Sequence, residues 1–197
     1  MNSHYLKPAF DNPVSGSQQS FRLALKAMAE PGLPYELRLV ETLDTLAPAS
    51  YALALTLLDS DTAVWLSPAL DTPAIRANLA FHCACPVVEH PQDADFALML
   101  AAETGVIASL NAGTDRDPEL SCTALIQLDS FEGGLPTLWQ GPGIETQRQL
   151  CLPVDKAFWQ TRQAVTAFPC GIDMFFIAGE QIMALSRSTQ VNFQVEN

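Results

Sequence analysis

Ile172-Asp-Met-Phe-Phe-Ile-Ala-Gly-Glu-Gln-Ile-Met-Ala-Leu185 reads as two strands joined by the two-residue turn Gly179-Glu180. Apolar residues dominate both arms, and glycine at the first turn position suits the positive φ of a type II′ hairpin. Such a hairpin, in a chain whose other strands alternate with helices, excludes a wholly parallel sheet.

Upstream of the hairpin, Phe158, Trp159, Arg162 and Val165 recur at helical spacing within a helix expected over about 154–167. Thr123-Ala-Leu-Ile-Gln-Leu128 and Pro136-Thr-Leu-Trp-Gln140 flank a loop carrying Gly133 and Gly134, which predicts a second hairpin. Phe96-Ala-Leu-Met-Leu100 is a strand, followed by a short helix that stops at Asn111-Ala-Gly113. Thr72 as N-cap and Pro73 at the first helical position start another helix, with Ile75, Leu79 and His82 along one side. Before it come a helix over about 48–58, the turn Asp59-Ser-Asp-Thr62 and the buried strand Ala63-Val-Trp-Leu-Ser67. Tyr35-Glu-Leu-Arg-Leu-Val40 alternates with period two, as a half-buried strand does. The expectation is an α/β fold of three layers: a mixed, mostly parallel sheet with helices on both faces. Residues 1–15 read as an N-terminal arm free to drape over a partner, and 16–197 as a single domain.

Phe21-Arg-Leu-Ala-Leu-Lys-Ala-Met-Ala-Glu-Pro-Gly32 is an amphipathic helix with an abrupt stop. Phe21, Ala24, Leu25 and Met28 form its apolar face; Arg22, Lys26 and Glu30 form a charged row. Pro31 disfavours helical geometry at Glu30, and Gly32 can take a positive φ. The corner presents a carboxylate beside two cations, which by itself fits any well-stopped helix as well as a catalytic arrangement.

Of the 197 residues, 48% are hydrophobic and 16% charged, which implies a large core and a surface partly covered by a partner. Ten basic residues against 22 acidic give a net charge of −12, which argues against nucleic-acid phosphates or an anionic membrane as partners. Five cysteines without a Cys-x-x-Cys pair or a signal peptide point to reduced thiols in the cytoplasm. The longest apolar run, around Tyr51–Leu58, is shorter than a membrane span.

Neither Gly-x-Gly-x-x-Gly nor a phosphate-binding Gly-Lys-[Ser/Thr] loop occurs, and Gly141-Pro-Gly143 is a tight bend. His82-Cys-Ala-Cys85, with His90 following, lacks the spacing and second ligand pair of a metal site, so no metal is expected; His4 sits in the arm. Cys83 and Cys85 fit small buried residues at a helix end, where His82 can bond free carbonyls. An alternative role for this cluster is a stand-alone small-molecule enzyme using His82 or a cysteine. Asp61, Asp173 and Arg187 stand in apolar company and require partners. Ser186-Arg-Ser-Thr189 offers one cation and three hydroxyls, either as a polar strand end or as a holder of phosphate.

The ordered set Phe21-Arg22…Glu30-Pro31-Gly32, Asp61-Thr62…Val64-Trp65-Leu66-Ser67, Phe81-His82, Gly113-Thr114, Gly141…Gly143-Ile144, Phe168-Pro169…Gly171-Ile172-Asp173 and Leu185…Arg187-Ser188-Thr189 resembles the PhnH family. That family is the H subunit of the bacterial carbon-phosphorus lyase system, and the resemblance spans about residues 16–191. It implies a homodimer within a core built with the G, I and J subunits. With the G, I and L proteins, such a subunit supports transfer of the ribose triphosphate of ATP to an alkylphosphonate, with release of adenine. It also implies a fold similar to the large domain of pyridoxal-phosphate-dependent aminotransferases, without that cofactor. Lys7, Lys26 and Lys156 are the only lysines, and none has a context suited to a Schiff base. The family supplies no established catalytic residue. Arg22, Lys26, Glu30, Asp61, His82, Asp173, Arg187, Ser188 and Thr189 are therefore candidates for ligand or interface contact.

Overall fold

The computed structural model describes residues 5–193, so His4 and the outer ends of the expected arm and domain lie outside the described residues. The C-terminal hairpin forms from β7 (Asp173–Ala178) and β8 (Gln181–Leu185), with Ala178 opposite Gln181. Gly179 has φ +58° while Glu180 keeps a negative φ, the signature of a type II′ turn.

Four strands run parallel: β2 (Val64–Leu66), β3 (Phe96–Leu100), β4 (Thr123–Leu128) and β7. On the other side of β7, β8 and the short β1 (Tyr35–Glu36) add antiparallel, giving the order β1-β8-β7-β4-β3-β2. The sheet is mixed, its parallel strands running from β7 to the β2 edge and its antiparallel strands forming the other edge. The register places Leu98, Leu125, Phe175 and Ala184 in one row and Met99, Ile126, Phe176 and Met183 in the next. Period two sends these rows to opposite faces, where each joins a separate buried core.

On the first face lie α1 (Pro13–Ala29), α2 (Pro48–Leu57) and α3 (Pro73–His82). The α2 helix is buried from Ala49 to Ala54, on every side, because it lies between α1 and the sheet. Thr72 accepts from the Ile75 amide at 3.2 Å, so α3 starts as its sequence dictates. The second face is covered by a 3₁₀ helix (Ala101–Ser109), α4 (Lys156–Val165), and a three-stranded antiparallel sheet. That sheet orders β6 (Arg148–Leu150), β5 (Thr137–Gln140) and β9 (Gln190–Phe193). Trp159 anchors the second core edge-on to Trp139 at 6.1 Å and to Phe158 at 4.8 Å.

Four expectations are corrected. Thr123–Leu128 and the strand at 137–140 do not pair: β4 is bonded on both edges by β3 and β7, so it has no free edge to offer, and β5 joins the small sheet. The strand expected over 35–40 stops at Glu36, after which Leu37 makes one more bond to the Glu180 carbonyl before the chain bends away. The inward face of α1 carries Ser20, Ala24 and Ala27, whereas Phe21 and Leu25 are 51% and 59% exposed. Small residues face α2 because the two helices approach closely, with the Ser20 hydroxyl donating to the Ala52 carbonyl. Finally, α1 begins at Pro13, ahead of residue 16, with Asn12 capping the Ser15 amide at 3.0 Å. The described part of the arm lies on its own chain. Asn78 of α3 accepts from the Lys7 amide at 2.8 Å and donates to the Tyr5 carbonyl at 2.7 Å.

The Glu30-Pro31-Gly32 corner is held between the two sheets. Gly32, at φ +82°, donates to the Ala184 carbonyl of β8 at 3.0 Å, and the Arg148 guanidinium of β6 donates to the Pro31 carbonyl. Gly143, at φ +80°, lies so close to the corner that a Cβ there would sit 1.9 Å from the Ala29 carbonyl oxygen. Gly143→Ala is expected to lower unfolding free energy by about 2–4 kcal/mol, from strain and a clash with backbone. Gly105→Ala, where a Cβ meets nothing within 4 Å and φ is not positive, is expected to change it by less than about 0.5 kcal/mol. Urea unfolding of the two variants checks both values.

Candidate functional site

The hairpin that fixes the sheet also builds a polar cluster at its open end. Pairing of Met174 with Leu185 brings Asp173, at the start of β7, beside the residues that follow β8. The Asp173 carboxylate accepts from the Arg187 backbone amide at 2.7 Å, from its Nε at 3.0 Å and from its Nη2 at 2.6 Å. Arg187 also donates from Nη1 to the Pro118 carbonyl. Both side chains are mostly buried, so the carboxylate secures the arginine's backbone and its fork together.

Ser186–Thr189 closes as a turn, the Thr189 amide donating to the Ser186 carbonyl at 3.0 Å. Its hydroxyls form a chain: Ser186 lies 2.9 Å from Ser188 and 3.0 Å from Thr189. Beneath the turn lies Arg162 of α4, which is only 3% exposed. Its Nη2 donates to the Ser186 and Thr189 carbonyls at 3.0 and 2.9 Å, while its Nε has no hydrogen-bond partner. Burial pushes the Arg162 guanidinium down to about 10, against the pull of the Asp173 charge, and it remains protonated at neutral pH. A crevice of about 560 Å³ opens at this point, lined by Arg162, Arg187, Ser188, Thr189, Gln190 and Asn192 among others.

The structure thus brings together four of the sequence candidates, Asp173, Arg187, Ser188 and Thr189, and adds Arg162. The others lie apart. Lys26 sits 4.9 Å over the Tyr35 ring, whose hydroxyl donates to Glu30, while Arg22 is exposed further along the same helix. Asp61 is exposed in the Asp59–Thr62 turn. Asp95 instead secures the start of β2, accepting from the Ala63 amide at 2.7 Å. His82 Nε2 bonds the Lys7 carbonyl at 3.0 Å, and its ring meets Phe81 edge-on at 4.9 Å, so it ties the arm to α3. Gln127, at the end of β4, links the Thr45 carbonyl, the Ala47 amide and the Ser50 hydroxyl.

The cysteine environments differ. A hydrogen bond with Cys85, reinforced by burial, pushes the Cys83 thiol up and brings Cys85 down. Cys122 is fully buried, which pushes its thiol up to about 12, with the Asp95 charge adding to the effect. A neutral thiol of this kind is a core residue rather than a nucleophile.

Comparison with known proteins gives a consistent relationship. Residues 8–192 match the family model described as bacterial phosphonate metabolism protein (PhnH). A Rhizobium meliloti (strain 1021) protein named alpha-D-ribose 1-methylphosphonate 5-triphosphate synthase subunit PhnH is 34% identical over 189 residues, covering 93% of this chain and 94% of the relative. A Stutzerimonas stutzeri protein named putative C-P lyase subunit protein HtxG is 28% identical over 89 residues, covering 44% of this chain and 46% of that protein.

Two outcomes follow from the site geometry. Asp173→Ala leaves a mostly buried guanidinium and a backbone amide without their acceptor, and is expected to cost about 3 kcal/mol in urea unfolding. For Cys122, a folded pKa above its ordinary value of 9.0 means that the folded state holds the proton more tightly. Its contribution is full below pH 9 and is lost as pH rises toward 12. Stability measured from about pH 8 to about pH 11 should therefore fall less steeply in Cys122→Ala, the thiol's share reaching at most about 1.4 kcal/mol per pH unit.

Proposed function

This chain belongs to the PhnH family, and we propose that it is the H subunit of a carbon-phosphorus lyase complex in phosphonate catabolism. In this reading it acts with the G, I and L subunits in transferring the ribose triphosphate of ATP to an alkylphosphonate, with release of adenine. Its own role is to assemble or share a site rather than to turn over substrate alone. Its partners are a second copy of itself and the G, I and J subunits, in the cytoplasm. In this reading the fold is also related to the large domain of the pyridoxal-phosphate-dependent aminotransferases, and works without that cofactor.

The observation that carries the assembly role is the outward face of α1. Phe21 and Leu25, half exposed or more, border a groove of about 230 Å³ with Met28, Leu57, Phe96 and Phe175. Two large apolar side chains held in water at one groove gain free energy when another surface covers them. A composition with only 16% charged residues fits a chain that hides part of its surface in this way.

Co-expression with the other core subunits, followed by mass measurement of the purified complex, tests the reading. The parent chain should be recovered in the assembly. The double variant Phe21→Glu, Leu25→Glu should reduce recovery at least tenfold, while its melting temperature stays close to that of the parent because both positions are exposed. Turnover of ATP and methylphosphonate by the isolated chain would overturn the subunit reading.

A further inference from the structure

We propose that the crevice between α4 and the turn joining β8 to β9 binds a phosphorus oxyanion carried on an organic group, a phosphate ester or a phosphonate, through Arg162 and the hydroxyls of Ser188 and Thr189. The starting point is the state of Arg162. A guanidinium that is 3% exposed is ordinarily paired with a carboxylate, because a buried charge without a countercharge is costly. Among the described residues no carboxylate lies within ion-pair distance of it: Asp173, the acid that acts on it electrostatically, is engaged by Arg187. Its Nε is itself buried and makes no hydrogen bond, and two carbonyls take its Nη2. They supply partial charges only. The missing element is an anion.

The crevice has the composition to receive one. Among the described residues its lining contains both arginines, three hydroxyl residues (Thr166, Ser188 and Thr189) and the amide side chains of Gln163, Gln190 and Asn192, and no carboxylate. That is notable in a chain where acids outnumber bases by 22 to 10. Counting Arg162 and Arg187 against Asp173 leaves one positive charge at a site on a protein of net charge −12. The Ser186–Ser188 and Ser186–Thr189 hydroxyl contacts, at 2.9 and 3.0 Å, use two of the three hydroxyl hydrogens and leave one free to turn toward an acceptor. Several donors around one cation suit a tetrahedral oxyanion better than a planar carboxylate. At about 560 Å³ the space exceeds what a bare phosphate fills, and Phe168, 77% exposed, forms an outer wall for an attached organic group.

The inference rests on this chain's own geometry and not on the subunit reading. The test is calorimetric titration of the full chain with inorganic phosphate, methylphosphonate, phenylphosphonate and acetate at constant ionic strength. Saturable binding of both phosphonates, at least tenfold tighter than acetate, is the expected result. Arg162→Met should abolish it. Because that variant also removes two bonds to the turn, Ser188→Asp is the decisive companion: Ser188 is partly exposed, so the fold tolerates the change, checked by an unchanged melting temperature without ligand. The carboxylate it introduces should weaken phosphonate binding at least tenfold. Phosphonate heats no larger than those of acetate, binding of inorganic phosphate alone, or undiminished binding by Ser188→Asp would each overturn the proposal. Co-purification of Ser188→Asp with the other subunits should match that of the parent chain, so a failure of assembly and a failure of anion binding are read separately.

Discussion

The constraint on which the rest of the structure depends is that β3, β4 and β7 are buried on both faces. A strand whose two faces meet the same surroundings can shift register at modest cost. In this sheet a slip of one residue would send Leu98, Leu125 and Phe175 into the core built for Met99, Ile126 and Phe176, and exchange the helices each row meets. The two cores differ in kind. The first is filled by three helices, small residues of α1 packing with Tyr51, Leu53, Ile75 and Leu79, and the second by the aromatic group Trp139, Phe158 and Trp159 with a second sheet. Neither could accommodate the other's row without cavities or overpacking. The hairpin at the edge then extends this fixed register to Asp173 and Arg187. Their geometry is a consequence of the core, not an independent feature.

The legible parts of the sequence were those with local determinants. Thr72-Pro73 marked a helix start because an N-cap and a proline act within one turn, and Gly179 marked a hairpin because its φ decides the turn. Thr123–Leu128 and Pro136–Gln140 misled because glycine between two strands is equally consistent with a hairpin and with a chain leaving one sheet for another. Only the partners on both edges of β4 distinguish the two. The face of α1 misled for a related reason. Phe21 and Leu25 mark a hydrophobic stripe, but periodicity does not say whether that stripe meets the protein's own core or something outside it.

The candidate site was half visible. Ser186–Thr189 announced itself by composition, and Asp173 and Arg187 by standing as charges among apolar residues. Arg162 carried a signal too: it lies four residues after Phe158, on the same buried side of α4. An arginine on an apolar face is a question about its countercharge, and sequence spacing alone does not answer it. Asp95 carried no such signal, since it reads as one acid in a polar connector. Its role comes from β2 and β3 lying side by side.

The Asp173–Arg187 ion pair borders both the apolar groove on α1 and the polar crevice over α4. Asp173 lines the groove beneath Phe21 and Leu25, while Arg187 lines the crevice over Arg162. A substitution in the pair therefore alters the polarity of the groove floor and the charge of the crevice together, and a loss of function there would not say which surface was responsible. Phe21 and Leu25 touch only the groove, and Ser188 only the crevice. The asymmetry also bears on why a protein so acidic keeps this arrangement. With ten cations in all, a pairing that commits one carboxylate to Arg187 and none to Arg162 leaves a surplus positive charge in one place, where burial keeps it from being screened by water and salt. A uniformly acidic surface repels anions at long range. A buried and unmatched arginine attracts them at short range, so the protein can admit a small anion that reaches the crevice while remaining unattractive to nucleic acid.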